Sequence, residues 1–437
     1  MMLNKTDWSQ ISTSPAALKG DEYRSVTVLG LGYIGLPTAC VIASRGLPVL
    51  GVDVKQEIVD KLAAGTIHIY EPDLDGLAQK VIRDGTLRVS TTGETSDVFI
   101  IAVPTPIALD HSPVLDNIFA GTEVLAPLLR QGNLIVLEST SPVGTTEAVS
   151  EALAEARPDL SFPTRAGASA DVNIAYCPER VLPGRILSEF VDNARCIGGI
   201  SPVCARRAQR FYKKFVRGAC IVTTARTAEL VKLAENAFRD TNIAFANELA
   251  MLCDDLSINV WDVIDLANRH PRVNILKPGP GVGGHCIAVD PWFIVHSAPD
   301  TANLIRTARE TNDNKIQHTV KRAVALIDQY PYAKVACLGL AFKANVDDLR
   351  ESPAIEVAQA LVERYRDRII LVEPYIDALP PALEGFDAQL TTIEEALVAC
   401  EVAIVLVDHE EFRAIPTSDR RHLAVLDTRG IWRDLPT

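Results

Sequence analysis

Cys286 closes the run Pro278-Gly-Pro-Gly-Val-Gly-Gly-His-Cys286, in which glycine occupies positions 279, 281, 283 and 284. Such a stretch strips side chains away from the thiol, as a cysteine attacking a bound carbonyl carbon requires. Cys177 is the rival nucleophile, but it ends the apolar run at 172–176 and reads as a small core residue. The nine cysteines are odd in number, form no CxxC and have no histidine at structural-zinc spacing, so neither a disulfide scaffold nor a metal site is expected.

A second chemical signal lies near the start. Val26-Thr-Val-Leu-Gly30-Leu-Gly32-Tyr33-Ile34-Gly35 places three glycines where an apolar strand turns into a helix, so that backbone N–H groups can approach a pyrophosphate. The next apolar run ends in Asp53, an acid suited to a ribose diol and repulsive to a 2′-phosphate, which favours NAD over NADP. Thr105, in Val103-Pro-Thr-Pro, and Thr140, in Glu138-Ser-Thr-Ser-Pro, put hydroxyls at the carboxyl ends of two further strands. There they face a ligand or cap the segment that follows.

A third signal is the polar stripe Lys232, Asn236 and Arg239, at i, i+4 and i+7 of a helical stretch whose remaining positions include Leu230, Leu233, Ala234, Ala237 and Phe238. Either the stripe is solvated, or it supplies a proton carrier, Lys232, with donors to an anionic or hydroxylated ligand.

The elements that must position these groups follow a rhythm. Short β-branched runs at 26–29, 49–54, 98–103, 134–137 and 172–176 alternate with helical stretches and predict a parallel sheet with helices on both faces. A single helix is expected over 227–256, long enough to serve as a spine or a dimer contact. Strand runs return at 335–338, 369–372, 402–407 and 423–426, and Ser352-Pro353 reads as a helix start. The fold class is therefore α/β, with a Rossmann-type domain over 22–220, a central helical region over 221–325 and a second Rossmann-like domain over 330–437.

Composition narrows the functional classes. The 437 residues carry 43 Lys+Arg against 56 Asp+Glu, a net −13, which argues against an open nucleic-acid surface. No stretch of 18 residues is free of charge and proline; the best, 98–109, is broken by Pro104 and Pro106, so no membrane span is expected. The first twenty residues, with Asn4, Lys5, Asp7 and several serines, lack a signal peptide's apolar centre, and a frayed leader on a cytoplasmic enzyme is the reading.

Taken in order, Gly-Leu-Gly-Tyr-Ile-Gly35, Glu138-Ser-Thr, Pro178-Glu-Arg, Ala234-Glu-Asn-Ala-Phe-Arg-Asp240, the Cys286 loop and Leu338-Gly-Leu-Ala-Phe-Lys-Ala-Asn-Val-Asp-Asp-Leu-Arg-Glu-Ser-Pro353 resemble the nucleotide-sugar 6-dehydrogenase family from about residue 25 to 432. Within it, Cys177-Pro-Glu-Arg-Val-Leu-Pro-Gly184 and Ala267-Asn-Arg-His-Pro-Arg-Val-Asn274 resemble the branch acting on UDP-N-acetyl-D-mannosamine. UDP-glucose enzymes typically carry a Pro-Glu-Phe-Leu-type segment where this chain has Pro178-Glu179-Arg180-Val181.

The resemblance implies NAD as cofactor, a UDP-sugar substrate, a homodimer formed through the central helices, and a carboxy-terminal domain that closes over the UDP. It implies Cys286 as nucleophile and Lys232 as proton carrier, assisted by Glu179, Asn236, Asp290 and Thr140. Arg180, Val181, Lys232, Asn236, Arg239, His270, Arg272, Gly283, Phe342 and Lys343 would contact the sugar nucleotide, with Arg272 reaching a neighbouring subunit's site. Gly30, Gly32, Tyr33, Ile34, Gly35, Asp53, Thr105, Thr140 and Arg350 would serve the cofactor.

The implied chemistry is a four-electron oxidation of sugar C6 to a uronic acid through a cysteine thiohemiacetal and thioester, reducing two NAD, with a cell-surface polysaccharide as the product's destination. UDP-N-acetylglucosamine and UDP-glucose stay open as substrates. So do a two-electron 3-hydroxyacid-type dehydrogenase, which leaves the cysteine loop unused, and a non-catalytic nucleotide-sugar-binding protein.

Overall fold

The computed structural model describes residues 23–433 apart from 70, 182, 183, 285 and 387; the amino-terminal leader and His285 lie outside the described residues. Contacts divide the chain into two compact units, one ending at Ala234 and the other beginning at Glu235.

The first unit is built on eight strands: β1 (Val26–Leu29), β2 (Val49–Val52), β3 (Leu87–Ser90), β4 (Val98–Ile101), β5 (Leu134–Leu137), β6 (Asn173–Tyr176), β7 (Arg195–Gly199) and β8 (Cys220–Thr224). They lie in the order β3-β2-β1-β4-β5-β6-β7-β8. β1, β2, β4, β5 and β6 are buried along their whole length because helices cover both faces, which is why they read as continuous apolar runs. The five expected strands, β1, β2, β4, β5 and β6, are mutually parallel, and the sheet continues past them with a reversal: β7 runs antiparallel to β6, pairing Ala175 with Gly199 and Tyr176 with Gly198. Strand order reverses at β1, between β2 and β4, and the turn Gly30–Gly35 sits at that switch point, where open α/β sheets take ligands.

The second unit holds β9 (Val335–Leu338), β10 (Ile369–Val372), β11 (Gln389–Leu390), β12 (Val402–Val405) and β13 (Ala424–Asp427), all parallel, in the order β11-β10-β9-β12-β13. That order repeats the first five strands of the other sheet. Ahead of this sheet the unit is helical, with Asn303–Ile327 running 25 residues. The expected long helix spans Ala225–Asp255, 31 residues, and carries on into this unit.

An acid that holds backbone N–H groups recurs after the second strand of each sheet. Asp53 Oδ2 accepts the Leu31 N–H at 2.9 Å. Glu373 Oε2 accepts the Leu340 and Ala341 N–H groups at 2.7 and 2.9 Å, and also pairs with His409 Nε2 at 3.1 Å. His409 Nδ1 accepts the Asn345 N–H, so its ring proton stands on Nε2 and points at Glu373.

Candidate active site

In the first unit the glycine turn has three different causes. Gly30 has φ +85°, and a Cβ there would fall 2.6 Å from the Ala102 carbonyl oxygen. A Cβ on Gly35 would fall 1.8 Å from the Gly30 carbonyl oxygen, so helix Gly35–Ser44 can start only this close to the strand without one. Nothing lies within 4 Å of a Cβ on Gly32, and no side chain caps the helix. Open space, a bare helix amino terminus and Asp53 beside it fit a dinucleotide's pyrophosphate and ribose. Asp53 also holds the turn, since its Oδ1 accepts the Lys55 N–H at 3.0 Å. Tyr33 is exposed and Ile34 half-buried beside it.

Thr105 is buried after β4 and Thr140 half-buried after β5. Ser139 Oγ donates to the Val103 carbonyl at 2.8 Å, which ties these two strand ends together. Thr140 does not cap the following helix, Thr145–Ala156, whose N-cap is Gly144. Glu229 fills that place: its carboxylate accepts the N–H groups of Gly144 and Thr146 at 2.6 and 2.8 Å and the Thr146 hydroxyl at 2.6 Å. Glu229 therefore fastens the Thr140 loop to the turn of helix that precedes Lys232. Sequence reasoning missed it, although an acid inside Ala-Glu-Leu-Val was a visible signal.

Glu179 sits in a wholly buried polar cluster. Its Oε2 receives Arg195 Nη2 at 2.7 Å and its Oε1 the Arg180 N–H at 2.8 Å, while Arg195 lies 4.0 Å over the Phe190 ring. Glu138 accepts from the Tyr212 hydroxyl at 2.5 Å and from Thr38 at 3.2 Å; burial above all raises its pKa to about 7, against the pull of Arg195. Burial likewise pushes the Cys177 thiol up to about 12, which disarms the rival nucleophile. Arg180 itself reaches the Ala194 carbonyl at 3.3 Å, and Val181 is half-buried next to it. Glu71 holds the far end of this loop, accepting the N–H groups of Gly184 and Ile186 at 2.8 and 2.7 Å.

In the second unit Cys286 is exposed, alone among the described cysteines. Its carbonyl accepts the Asp290 N–H at 2.9 Å, one helical turn on, and the Asp290 carboxylate accepts Asn236 Nδ2 at 2.5 Å. Cys286, Asp290 and Asn236 are thus brought together. The glycines before the thiol have a different cause from the one expected. They admit protein rather than clear a path: a Cβ on Gly281 would meet Ile316 at 2.7 Å, on Gly283 the Glu351 carbonyl at 2.2 Å, and on Gly284 the Phe342 ring at 2.8 Å.

Phe342 and Lys343 are half-buried just beyond the turn after β9. Of the nearby charges, Asp348 is engaged by Arg350, whose Nε and Nη2 approach at 2.9 and 2.6 Å, so Arg350 forks onto its own loop. Arg239 is exposed on the long helix. His270 and Arg272 share an exposed loop, where His270 Nδ1 accepts the Arg272 N–H at 3.3 Å. No cluster of potential metal ligands occurs among the described residues, nor any helix long and apolar enough to cross a membrane.

Comparison with known proteins bears on these two sets of residues. Residues 24–216 match the NAD binding domain of the UDP-glucose/GDP-mannose dehydrogenase family, residues 226–314 its central domain and residues 336–434 its UDP binding domain. The chain is 54% identical over 411 residues to an NDP-N-acetyl-D-galactosaminuronic acid dehydrogenase of Ralstonia nicotianae, covering 94% of this chain and 97% of that one. It is 52% identical over 419 residues to the UDP-N-acetyl-D-mannosamine dehydrogenase of Escherichia coli, covering 94% of this chain and all (100%) of that one. Among solved structures, UDP-D-ManNAc dehydrogenase from Pyrococcus horikoshii superposes with a TM-score of 0.84 at 36% identity, covering 94% and 97% of the two chains. Both the amino-terminal fingerprint and the carboxy-terminal sheet fall within the matched domains, and the chain belongs to the UDP-glucose/GDP-mannose dehydrogenase family of NAD-dependent nucleotide-sugar dehydrogenases.

Proposed function

We propose that the chain oxidises the C6 alcohol of UDP-N-acetyl-D-mannosamine to the carboxylate in two successive two-electron steps, with Cys286 as covalent nucleophile. The observation that carries this reading is the exposed thiol of Cys286 one turn ahead of Asp290, whose carboxylate Asn236 fixes at 2.5 Å. NAD, when bound at the Gly30–Gly35 turn and Asp53, accepts the electrons of both oxidations.

The chain's own groups do the rest. Lys232, or a water held by Asp290, takes the C6 hydroxyl proton. The Cys286 thiolate then adds to the resulting aldehyde, forming a C–S bond and a thiohemiacetal whose oxyanion Lys232 and Asn236 stabilise. After the second oxidation the sulfur carries an acyl group; water adds to its carbonyl, the C–S bond breaks, and carboxylate and thiolate separate. Both Glu179 oxygens are already engaged by Arg195 and the Arg180 N–H, so we assign the orientation of that water to Asp290 and a supporting role to Glu179. Thr140 lines the cofactor side with Thr105.

Arg180, Val181, Arg239, His270, Arg272, Gly283, Phe342 and Lys343 are assigned to the UDP-sugar, the cations meeting the diphosphate on an otherwise acidic chain. Arg350 is assigned to the cofactor, which requires it to leave Asp348. A homodimer is part of the proposal. On the long helix Phe238, Phe245 and Leu252 recur every seven residues and are 72%, 58% and 51% exposed, an unpartnered apolar stripe suited to a second copy. A cytoplasmic location goes with these substrates.

The Escherichia coli relative supports the mannosamine sugar; the Ralstonia relative favours a second reading, a galacto-configured 2-acetamido sugar. The deciding experiment offers excess NAD with UDP-N-acetylmannosamine, UDP-N-acetylgalactosamine, UDP-N-acetylglucosamine and UDP-glucose in turn, and counts NADH per acid. Two NADH per acid with the mannosamine sugar alone is the expected result. Preference for another sugar would overturn the substrate, and one NADH per turnover would overturn the role of Cys286.

A further inference from the structure

One face of the long helix carries a row of polar groups that the reaction does not use. Asp240, 0% exposed, forms a 2.6 Å ion pair with Arg309, 1% exposed, on helix Asn303–Ile327. Asn312 Nδ2 donates to the same Asp240 Oδ1 at 2.8 Å. Asn312 Oδ1 in turn accepts Asn247 Nδ2 at 2.8 Å, and Asn247 Oδ1 accepts the Gly279 N–H at 2.9 Å. Both asparagines are fully buried, and Gly279 opens the glycine run that ends at Cys286.

This chain of bonds has a direction. An ionised carboxylate only accepts, so Asp240 fixes which end of the Asn312 amide faces it; that turns the Asn312 oxygen toward Asn247, and the Asn247 oxygen toward Gly279. A reversed amide at either step would set two donors or two acceptors against each other in a dry interior. Arg309 holds the charge at the origin, and the Thr319 hydroxyl, from the same helix, reaches the Pro280 carbonyl at 3.4 Å. Asn236, Asp240 and Asn247 lie at i, i+4 and i+11, along one stripe of the helix. The stripe therefore grips the Cys286 segment at both ends: Asn247 at Gly279, and Asn236 at Asp290.

We infer that Asn247, oriented by Asn312 and Asp240, is a positioning residue that sets the conformation of the Cys286 loop and so the reactivity of its thiol. This rests on the assignment of Cys286 as nucleophile, and the geometry concerns only the backbone seven residues upstream of it. Loss of the amide frees the Gly279 N–H and lets the loop drift, and displacement of a nucleophile by about an ångström lowers turnover by about ten- to a hundredfold.

The test compares the full-length wild type with Asn247→Ala and Asn312→Ala. Carbamidomethylation of Cys286 by iodoacetamide is followed across pH by peptide mass, alongside kcat, KM and thermal melting. For Asn247→Ala the expected result is a change of at least about threefold in the alkylation rate or its pH midpoint, with kcat down about tenfold or more and KM moved far less. Asn312→Ala should shift the same readouts in the same direction by less. Alkylation and kcat both within about twofold of wild type, in protein that melts cooperatively, overturn the inference. If Asn247→Ala does not fold, Asn312→Ala decides by the same criteria. Acid formation by Cys286→Ala would instead sink the nucleophile assignment, and the alkylation readout does not depend on turnover, so the two failures are distinguishable.

Discussion

The Phe342 ring leaves no room for a side chain at Gly284: a Cβ added there would stand 2.8 Å from the ring's Cε2 and 3.0 Å from its Cδ2, and Gly284 has φ +86°. The turn after β9 therefore reaches the backbone two residues before the thiol. Gly284→Ala is expected to cost about 1–3 kcal/mol through the left-handed backbone alone. Because the displaced atoms belong to the Cys286 loop, kcat should fall by more than tenfold, about the effect of an ångström of misplacement. Steady-state kinetics beside thermal melting check this; unchanged kcat would mean that the ring yields without moving the loop.

The cysteines separate by exposure. Cys286 is exposed, whereas burial holds the thiols of Cys177, Cys40 and Cys337 up at about 12. A thiol reagent at mildly alkaline pH should label Cys286 first and, in doing so, stop acid formation. Cys177→Ala, by contrast, should keep turnover within a few-fold and lose about 1 kcal/mol of stability to a small cavity. Peptide mapping of the labelled protein is the check.

Asp53 holds the Leu31 and Lys55 N–H groups, and we propose it as the partner of the NAD ribose. Asp53→Ala should weaken NAD binding by about 10- to 100-fold, the loss of a charge-assisted contact together with slack in the turn. Discrimination against NADP should shrink in the same variant, since the carboxylate that repels a 2′-phosphate is gone. Titration with each dinucleotide measures both effects.

Glu138 gives stability a pH dependence. Its pKa is raised from the ordinary 4.5 to about 7, chiefly by burial, so the folded chain holds this proton more tightly than the unfolded one. The stabilisation is complete below about pH 4.5 and is lost as pH rises through about 7, up to about 3 kcal/mol in all. Glu138→Gln, which keeps an oxygen for the Tyr212 hydroxyl and carries no titrating proton, should flatten that part of the curve. Denaturant unfolding at several pH values decides; an identical slope in both proteins would remove Glu138 from the account.

The stripe Phe238, Phe245 and Leu252 predicts association. Phe245→Glu should convert a dimer into monomer at micromolar concentration, as read by light scattering. Activity should fall with it if Arg272 serves the neighbouring site. A dimer that survives the charge places the contact elsewhere.

Much of this was legible before any coordinates. β1, β5, β9 and β10 stand where their apolar runs placed them, and the long helix differs from its expected ends by one or two residues. β7 was not, because Arg-Cys-Ile-Gly-Gly opens on a charge and ends in two glycines, and its reversal beside β6 depends on pairing that no local pattern encodes. Of the site, residue types and local spacing exposed the thiol, the glycine turn and Asp53. The Asn247–Asn312 bond joins residues 65 apart, and nothing in either neighbourhood names its partner. The glycines of the cysteine loop were recognised with the wrong cause, since the atoms that require them belong to Ile316, Phe342, Glu351 and Pro353, all distant in sequence. Arg195 escaped notice for the same reason: only the fold shows that it closes on Glu179.

The two sheets share their first five positions in strand order, and each sends an acid from beyond its second strand to the backbone just past a glycine. They differ in what the acid has left to give. Asp53 stays half-exposed, whereas Glu373 is sealed beneath His409 with the N–H groups of Leu340, Ala341 and Tyr375 upon it. One strand order thus carries two acids of opposite fate: the first stays within reach of solvent, and the second is closed into the protein as a rivet.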